Sequence, residues 1–438
     1  MTSTPYQIRN FRIDSVSVMF QDGSTVGIDK GSILQLEYRE GIFDKFISVT
    51  LVLMDTTSKF SEALVGMELF EVIFTDTQNN VTFEFSKGSE NGLLYAYNIH
   101  NKAVLDTGKR ITVELCRKDA ILSMQKRVCK KYSNVTADQL IGDVIQTELE
   151  SSKTISTKKS INKVSFVPPN SRPLDILIWA RNKFIGDKST ASGGDYTSAG
   201  YLFWETYQQY NYHSVDTICA QKGHKCVFTT GTGTGVTQDA FRIENPQFIS
   251  NVDMVENFNK GFYSGQIEFF DITECTMTTR KYTLKEYYPT WEKIASNEHL
   301  PTLNSAGMQE DLEPSAPESP SVHNKYATRN MMVSYNKELF VGSTDDEEGD
   351  PEIFRETVVQ SISRLGLLMN QVLTFTCNVG NMDLHAADPV LIEFYDSRGE
   401  IDPQHSGRYI IADLTHLYTS GEDKLSTLLT LTRDSFGL

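Results

Sequence analysis

The sequence has little of what the commoner function classes require. Its six cysteines (116, 129, 219, 226, 275 and 377) are scattered over 438 residues. That spacing argues against a disulfide framework and for assembly in a reducing compartment. Lysine and arginine number 41 against 57 aspartates and glutamates, a net charge of −16, which argues against binding nucleic acid by neutralising phosphates. No apolar run approaches a membrane-spanning length, and the opening Met1-Thr-Ser-Thr-Pro-Tyr-Gln-Ile-Arg9 has no apolar signal-like core. An aqueous location without stable membrane insertion is therefore expected. Gly-x-Ser-x-Gly and His-Glu-x-x-His patterns are also missing. Ample core-forming material remains: 39% hydrophobic and 11% aromatic residues, enough to fill more than one domain.

What is present is an internal repeat. At an offset of 316, Leu94–Arg117 lies on Ile410–Arg433 without a gap, so Ala96 meets Ala412, His100 meets His416, Leu115 meets Leu431 and Arg117 meets Arg433. At 320, Glu71-Val-Ile-Phe74 meets Leu391-Ile-Glu-Phe394; at 216, Phe46–Thr57 meets Phe262–Thr273. Each match is weak alone, but the three keep one order and join like patterns. The smaller offset upstream reads as an insertion splitting the second copy.

Alternation of apolar and polar residues predicts strands at Phe11–Met19, Phe46–Met54, Leu69–Phe74, Leu93–Ile99 and Ile111–Cys116, separated by Asp-Gly, Asn-Asn and Thr-Gly turns. Residues 1–117 are read as a small antiparallel β-barrel. Residues 118–240 are read as an α+β domain. There Thr136-Ala-Asp-Gln139 opens a helix carrying Leu140, Ile141, Val144, Ile145 and Leu149, and Ser171-Arg-Pro173 opens another. An aromatic hairpin follows over 200–215. A second barrel is assigned to 241–283 together with 356–438. Between them, 284–355 is a peripheral insertion with a Pro/Ser/Glu-rich stretch at 310–321, which lacks the means to pack. A helix led in by Asp350-Pro351 carries Phe354, Val358, Ile362, Leu365 and Met369. The expected class is α+β and β-rich.

Candidate chemistry is thin. Cys219-x4-His224-x-Cys226 offers three metal-ligating types, but structural zinc normally takes four ligands in two pairs and no second pair is near; a loop with incidental thiols is the simpler reading. Gly231-Thr-Gly-Thr-Gly235 lacks the Gly-Lys-Ser/Thr ending of a phosphate loop and opens no amphipathic helix. Asp345-Asp-Glu-Glu-Gly-Asp350 lacks the alternation and distal Glu of a calcium loop and reads as a solvated run before a helix. His100 and His416, matched by the repeat, are expected to be structural. No catalytic, cofactor or metal residue is assigned.

A succession of motifs carries a resemblance. Tyr132-Ser-Asn-Val-Thr and Leu140-Ile-Gly-Asp-Val-Ile-Gln, Ser171-Arg-Pro-Leu-Asp-Ile-Leu-Ile-Trp-Ala-Arg181, and Ala199-Gly-Tyr-Leu-Phe-Trp-Glu-Thr206 with His213-Ser-Val-Asp216 come first. Asn378-Val-Gly-Asn381 through Asp388-Pro-Val, Ser406-Gly-Arg-Tyr-Ile-Ile411, His416 and Leu429-Thr-Leu-Thr-Arg-Asp-Ser435 follow in order. Together they resemble the central baseplate hub proteins of contractile phage tails, related to the hub part of secretion-system spike proteins. The resemblance implies a homotrimer whose two tube domains per chain make a pseudo-sixfold ring. Such a ring adapts a hexameric tail tube to a trimeric spike, with tape measure and baseplate wedge proteins as neighbours, and passes DNA through an acidic bore without specific binding. It implies a location in the virion tail baseplate after assembly in the host cytoplasm; the missing catalytic and metal motifs lead to the separate expectation of no enzyme activity. A hub of a secretion or bacteriocin-like machine, or one with cell-wall hydrolase activity, is the alternative. The last matched strand ends near Leu438, which reads as a hub without a fused spike.

Overall fold

The computed structural model describes residues 11–186, 200–231, 240–295, 329–341 and 361–435, apart from positions 58, 106–107, 252, 273, 285–287, 289–290, 336–339, 378–379, 397 and 421–424. The chain is β-rich, with short helices and sheets that mix antiparallel and parallel pairs. Among the described residues no helix is long and apolar enough to cross a membrane.

One large sheet carries both repeats. In the first, Ile33–Gly41 pairs with Ser48–Asp55, which pairs with Gly108–Arg117, then Leu94–Leu105, then Leu69–Asp76, all antiparallel. The second copies this order with Glu244–Asn251, Gln371–Cys377, Leu425–Arg433, Gly407–Thr419 and Pro389–Glu393. The strands form because alternate side chains find a core: Val49, Leu51 and Leu53 in one copy, Leu373, Phe375 and Cys377 in the other. Register makes the copies equivalent. Val49 faces Leu115 as Leu373 faces Leu431, and Leu51 faces Val113 as Phe375 faces Leu429. Phe70 faces Leu94 as Val390 faces Tyr409, which puts Phe394 in the place of Phe74. The offsets of 316, for the last strand, and 320 therefore describe real correspondences.

Three expectations are corrected. Phe262–Thr273 does not take the place of Phe46–Thr57; Gln371–Cys377 does. Ser264–Asp271 instead pairs with Thr276–Thr283 and Asn330–Tyr335 in a separate three-stranded sheet. Two-residue periodicity lets any half-buried strand mimic another, and only backbone pairing chooses between them. Second, His100 and His416 are not equivalent. Ala96 faces Leu115 as Ile411 faces Leu431, so the offset in this strand is one less and His100 corresponds to Thr415. The one-residue slip flips the face: His416 is fully buried while His100 is half-buried. Third, neither repeat closes into a barrel; the strand order is open at both ends among the described residues.

The helical region has its own core. Gln139 accepts from the Thr136 N–H at 3.1 Å, and Ala137–Gly142 runs on into the π-helical Asp143–Glu148. Leu140, Ile141, Val144, Ile145 and Leu149 pack there with Leu174 and Leu177 of helix Pro173–Ala180. Tyr201, Phe203, Tyr210 and Tyr212 of the hairpin join them, as do Ile267 and Phe269 of the small sheet. Residues 361–368 are helical and bury Leu367 and Leu368; Asp350, Pro351, Phe354 and Val358 lie outside the described residues, as do 310–321 and the acidic run at 345–350.

Equivalent core positions should respond alike. Leu51→Ala and Phe375→Ala are each expected to cost about 2–5 kcal/mol in urea unfolding; a neutral result at either would break the correspondence.

Candidate functional site at the seam between the repeats

The two repeats meet edge to edge. After pairing with Pro389–Glu393 over residues 407–410, strand Gly407–Thr419 passes to Ile33–Gly41, matching Asp413 with Gly41 through Thr419 with Gln35. The Ile42 N–H donates to the Ala412 carbonyl at 2.9 Å, and Ser420 N–H to Leu34 at 2.9 Å. Gly41 eases this approach, since a Cβ there would stand 3.2 Å from the Ala412 carbonyl oxygen and 3.0 Å from an Asp44 oxygen, so that one or both would have to shift. Arg39 Nη2 donates to Asp413 at 2.6 Å across the joint. Side chains interlock too: Tyr418, Leu425 and Met382 of the second repeat pack in the first repeat's core, Tyr418 against Phe11 with ring centroids 5.1 Å apart.

Buried polar groups pin the seam. Glu40 accepts from Tyr38 Oη at 2.9 Å and from the Ala386 N–H at 3.0 Å, and its carboxylate lies 3.0 Å from His385 Nδ1. Burial works to lower the His385 pKa, but the Glu40 charge and hydrogen bond outweigh it and hold the imidazole above its ordinary value. His416 stacks near Tyr38 and shares a 2.9 Å hydrogen bond with Thr427. Burial, helped by the nearby His385, pulls it down to about 3.

A second cluster docks the helical region. The fully buried Glu205, on strand Tyr201–Glu205, accepts from Arg117 Nη1 at 2.7 Å, Lys153 Nζ at 2.9 Å and the Ile47 N–H at 3.1 Å. Burial alone would raise Glu205, but Lys153 and Arg117 overcome it and keep the carboxylate ionised. Lys153 is lowered to about 8, burial outweighing the Glu205 charge. Asp119 closes the group, accepting from Ser151 at 2.7 Å and Tyr210 at 2.9 Å.

The structure does not gather the candidate metal ligands. Cys219 lies in one hydrophobic cluster and Cys226 in another, while His224 is exposed. Burial raises both thiols, Cys226 to about 12, so neither is a ready thiolate. Among the described residues no group of three or more His, Cys, Asp or Glu is placed to hold a metal ion. Residues 232–235 of the Gly-rich loop lie outside them. A cavity of about 280 Å³ beside the seam is walled by Ser156, Trp204, His213, His385 and Asp388. Ser156 Oγ stands 3.0 Å from His213 Nε2, the spacing of a nucleophile and base. Yet burial, aided by Lys158, lowers His213 to about 4, and among the described residues its Nδ1 has no hydrogen-bond partner to orient the ring. So weak a base is poorly suited to general-base catalysis at neutral pH.

Sequence reading missed the seam strand Ile33–Gly41 and the strand Glu244–Asn251. Ile33, Leu36, Tyr38 and Glu40 are the buried set of the first. The alternation of Leu36 and Tyr38 was the available signal, masked by the charged Glu37, Arg39 and Glu40 around them.

Two measurements probe this site. Glu205→Gln keeps the shape but leaves Arg117 and Lys153 buried without their shared anion; a loss of about 3–5 kcal/mol is expected in chemical denaturation. Acid should also destabilise the fold. His416 and His213 have folded pKa values below the unfolded value of about 6.5. Their stabilisation is complete above that value and is lost as pH falls toward 4, by up to about 1.4 kcal/mol per pH unit for each. His385 works oppositely, its contribution being complete below about pH 6.5 and fading as pH rises through its raised folded value. The denaturation midpoint should therefore fall between pH 6.5 and 4, and His416→Asn should flatten that slope.

No family model and no curated protein matches the sequence. Solved structures do match. The 43 kDa tail protein of prophage MuSo2 from Shewanella oneidensis has a TM-score of 0.52 at 8% identity, covering 97% of this chain and 99% of that one. The tail protein from Neisseria meningitidis MC58 has a TM-score of 0.51 at 9% identity, covering 97% of each chain. Over nearly its whole length this chain shares the fold of these two tail proteins.

Proposed function

We propose that this chain is the central hub of a contractile-tail baseplate. Three copies place six repeats around the tail axis in a pseudo-sixfold ring, which docks on the hexameric tail tube above and the trimeric spike below. The observation that carries this reading is the pair of equivalent five-stranded units already joined within one chain. A chain with two such units has the form needed where sixfold and threefold symmetry meet. The fold shared with phage tail proteins supports the same class of role. The net charge of −16 suits a bore that repels phosphates, so that DNA passes without being held. Tape measure and wedge proteins are the further neighbours of such a ring, and the tail baseplate of the virion is its place.

The role is one of geometry, with no catalysis and no required metal. Zinc retained at Cys219, His224 and Cys226, or peptidoglycan degradation lost on changing Ser156 or one carboxylate, would overturn that part.

Light scattering and electron microscopy of the purified protein, at rising concentration, test the assembly. A mass of three chains with threefold averages showing six lobes is expected. A closed dimer or tetramer, or a bore lined with lysine and arginine, would overturn the hub reading.

A further inference from the structure

We infer that the edge of Leu94–Leu105 that has no described partner in one copy pairs antiparallel with the corresponding edge of Glu244–Asn251 in the next, in the register of the seam within the chain. The inference rests on the hub reading and specifies the contact that would build its ring.

The seam shows what these two edges do when both are present in one chain. Gly407–Thr419 pairs first with Pro389–Glu393 and then passes to Ile33–Gly41. Its counterpart Leu94–Leu105 begins in the same way, pairing with Leu69–Asp76 at Tyr95 and Leu94. From Tyr97 onward that side has no described partner strand, while the other side stays paired to Gly108–Arg117. Likewise Glu244–Asn251, the counterpart of Ile33–Gly41, pairs with Gln371–Cys377 on one side and with no described strand on the other. Among the described residues one chain thus contains one completed seam and the two unmatched halves of a second, one half on each repeat.

The unmatched edges have the character of surfaces awaiting cover. Val104 is 79% exposed and Ile249 68%, and Tyr97 is also exposed. An unpaired strand edge offers a row of backbone donors and acceptors to any matching strand, and soluble proteins usually blunt it with charge. Glu244 and Pro246 blunt only the start of Glu244–Asn251, while Tyr97, Val104 and Ile249 present apolar surface on these strands.

The template also sets the register. Within the seam His416 faces Tyr38 and Thr415 faces Arg39. Tyr38 faces Val49 as Phe248 faces Leu373, and Arg39 faces Ser48 as Ser250 faces Val372. Carried over, residue 101 stands opposite Phe248 and His100 opposite Ser250, with Ile249 the extra residue at the irregularity between Phe248 and Ser250. Because the joined edges differ, the contact is head-to-tail. It closes into a ring only if each joint repeats the rotation between the two repeats of one chain.

The full chain with Cys129→Ser and Cys275→Ser, which removes the exposed thiols, would carry His100→Cys and Ser250→Cys together. It would be treated with a short bismaleimide and compared with each single variant. Crosslinks between chains, ending at three chains, are expected only in the double variant. Slowed amide exchange at residues 97–104 and 247–251 should accompany assembly. A trimer by light scattering without these crosslinks, its edges still exchanging freely, would overturn this pairing and leave the hub reading standing. Crosslinked chains growing past three without closing would support the pairing and overturn the trimeric ring. A chain that stays monomeric up to its solubility limit, with no crosslink, would overturn the pairing and count against the ring.

Discussion

The antiparallel joint between Ile33–Gly41 and Gly407–Thr419 is the constraint on which the rest of the molecule depends. The strands are more than 360 residues apart in sequence, yet they run seven residues in register. Net backbone hydrogen bonding contributes only about 0.5–1.5 kcal/mol per bond, so the ladder alone is a modest source of stability. Its strength comes from what it brings together. Tyr418, Leu425 and Met382 leave their own repeat to fill the core of the other, and Gly41 permits the backbones to approach. Sliding the joint by one residue would turn every seam side chain to the wrong face.

Buried charge makes this arrangement specific. Arg117 and Arg433 end equivalent strands and both are buried, but they find different partners. Arg117 meets Glu205 and Asp119, which belong to the helical region and its hairpin. Arg433 lies 4.4 Å over the Tyr409 ring, donates to the Ser406 carbonyl at 3.1 Å and contacts Gln371, all within its own repeat. One position has thus been specialised in two ways, to dock a neighbouring domain in the first copy and to close a strand end in the second. The same division appears in Arg364, which binds Asp434 and Asp216 and ties the helix at 361–368 to both the last strand and the helical region. Buried ions such as these contribute little when compared with apolar packing, but leaving one unpaired is costly, so they penalise any other docking of the domains.

The bulges have a related effect. Strands Leu94–Leu105 and Gly407–Thr419 are each irregular just past Ala96 and Ile411. A bulge bends a strand and lets it leave one neighbour for another. In Gly407–Thr419 the irregularity falls where the strand exchanges Pro389–Glu393 for Ile33–Gly41, which opens the edge for the seam; the one-residue displacement of the repeat match arises instead in the connection to the last strand, which is longer in the second copy.

The sequence by itself determined the β-rich character, the helical stripe from Leu140 to Leu149, the hairpin around Tyr201–Ser214 and two of three repeat segments. Each of these is written locally, in two-residue or helical periodicity and in capping and turn residues. Only the tertiary structure decided which strands are neighbours. Phe262–Thr273 had as good a pattern as Gln371–Cys377 for the place of Phe46–Thr57, because alternation states that a strand has two faces but not which strand it meets. The tertiary structure also decided that His416 lies in the core while His100 does not, since the connection to the last strand is one residue longer in the second copy and that slip moves the matched side chain across the sheet. The strands at the joint, Ile33–Gly41 and Glu244–Asn251, were the hardest to read. Their edges meet a distant part of the chain or no described strand, and charged and polar residues such as Glu37, Arg39, Asn245 and Gln247 interrupt the apolar pattern that marks a core strand. Beside Tyr38 of its own strand, Glu40 is met in the core by His385 and the Ala386 amide from the other repeat, and a single strand of sequence carries no record of that.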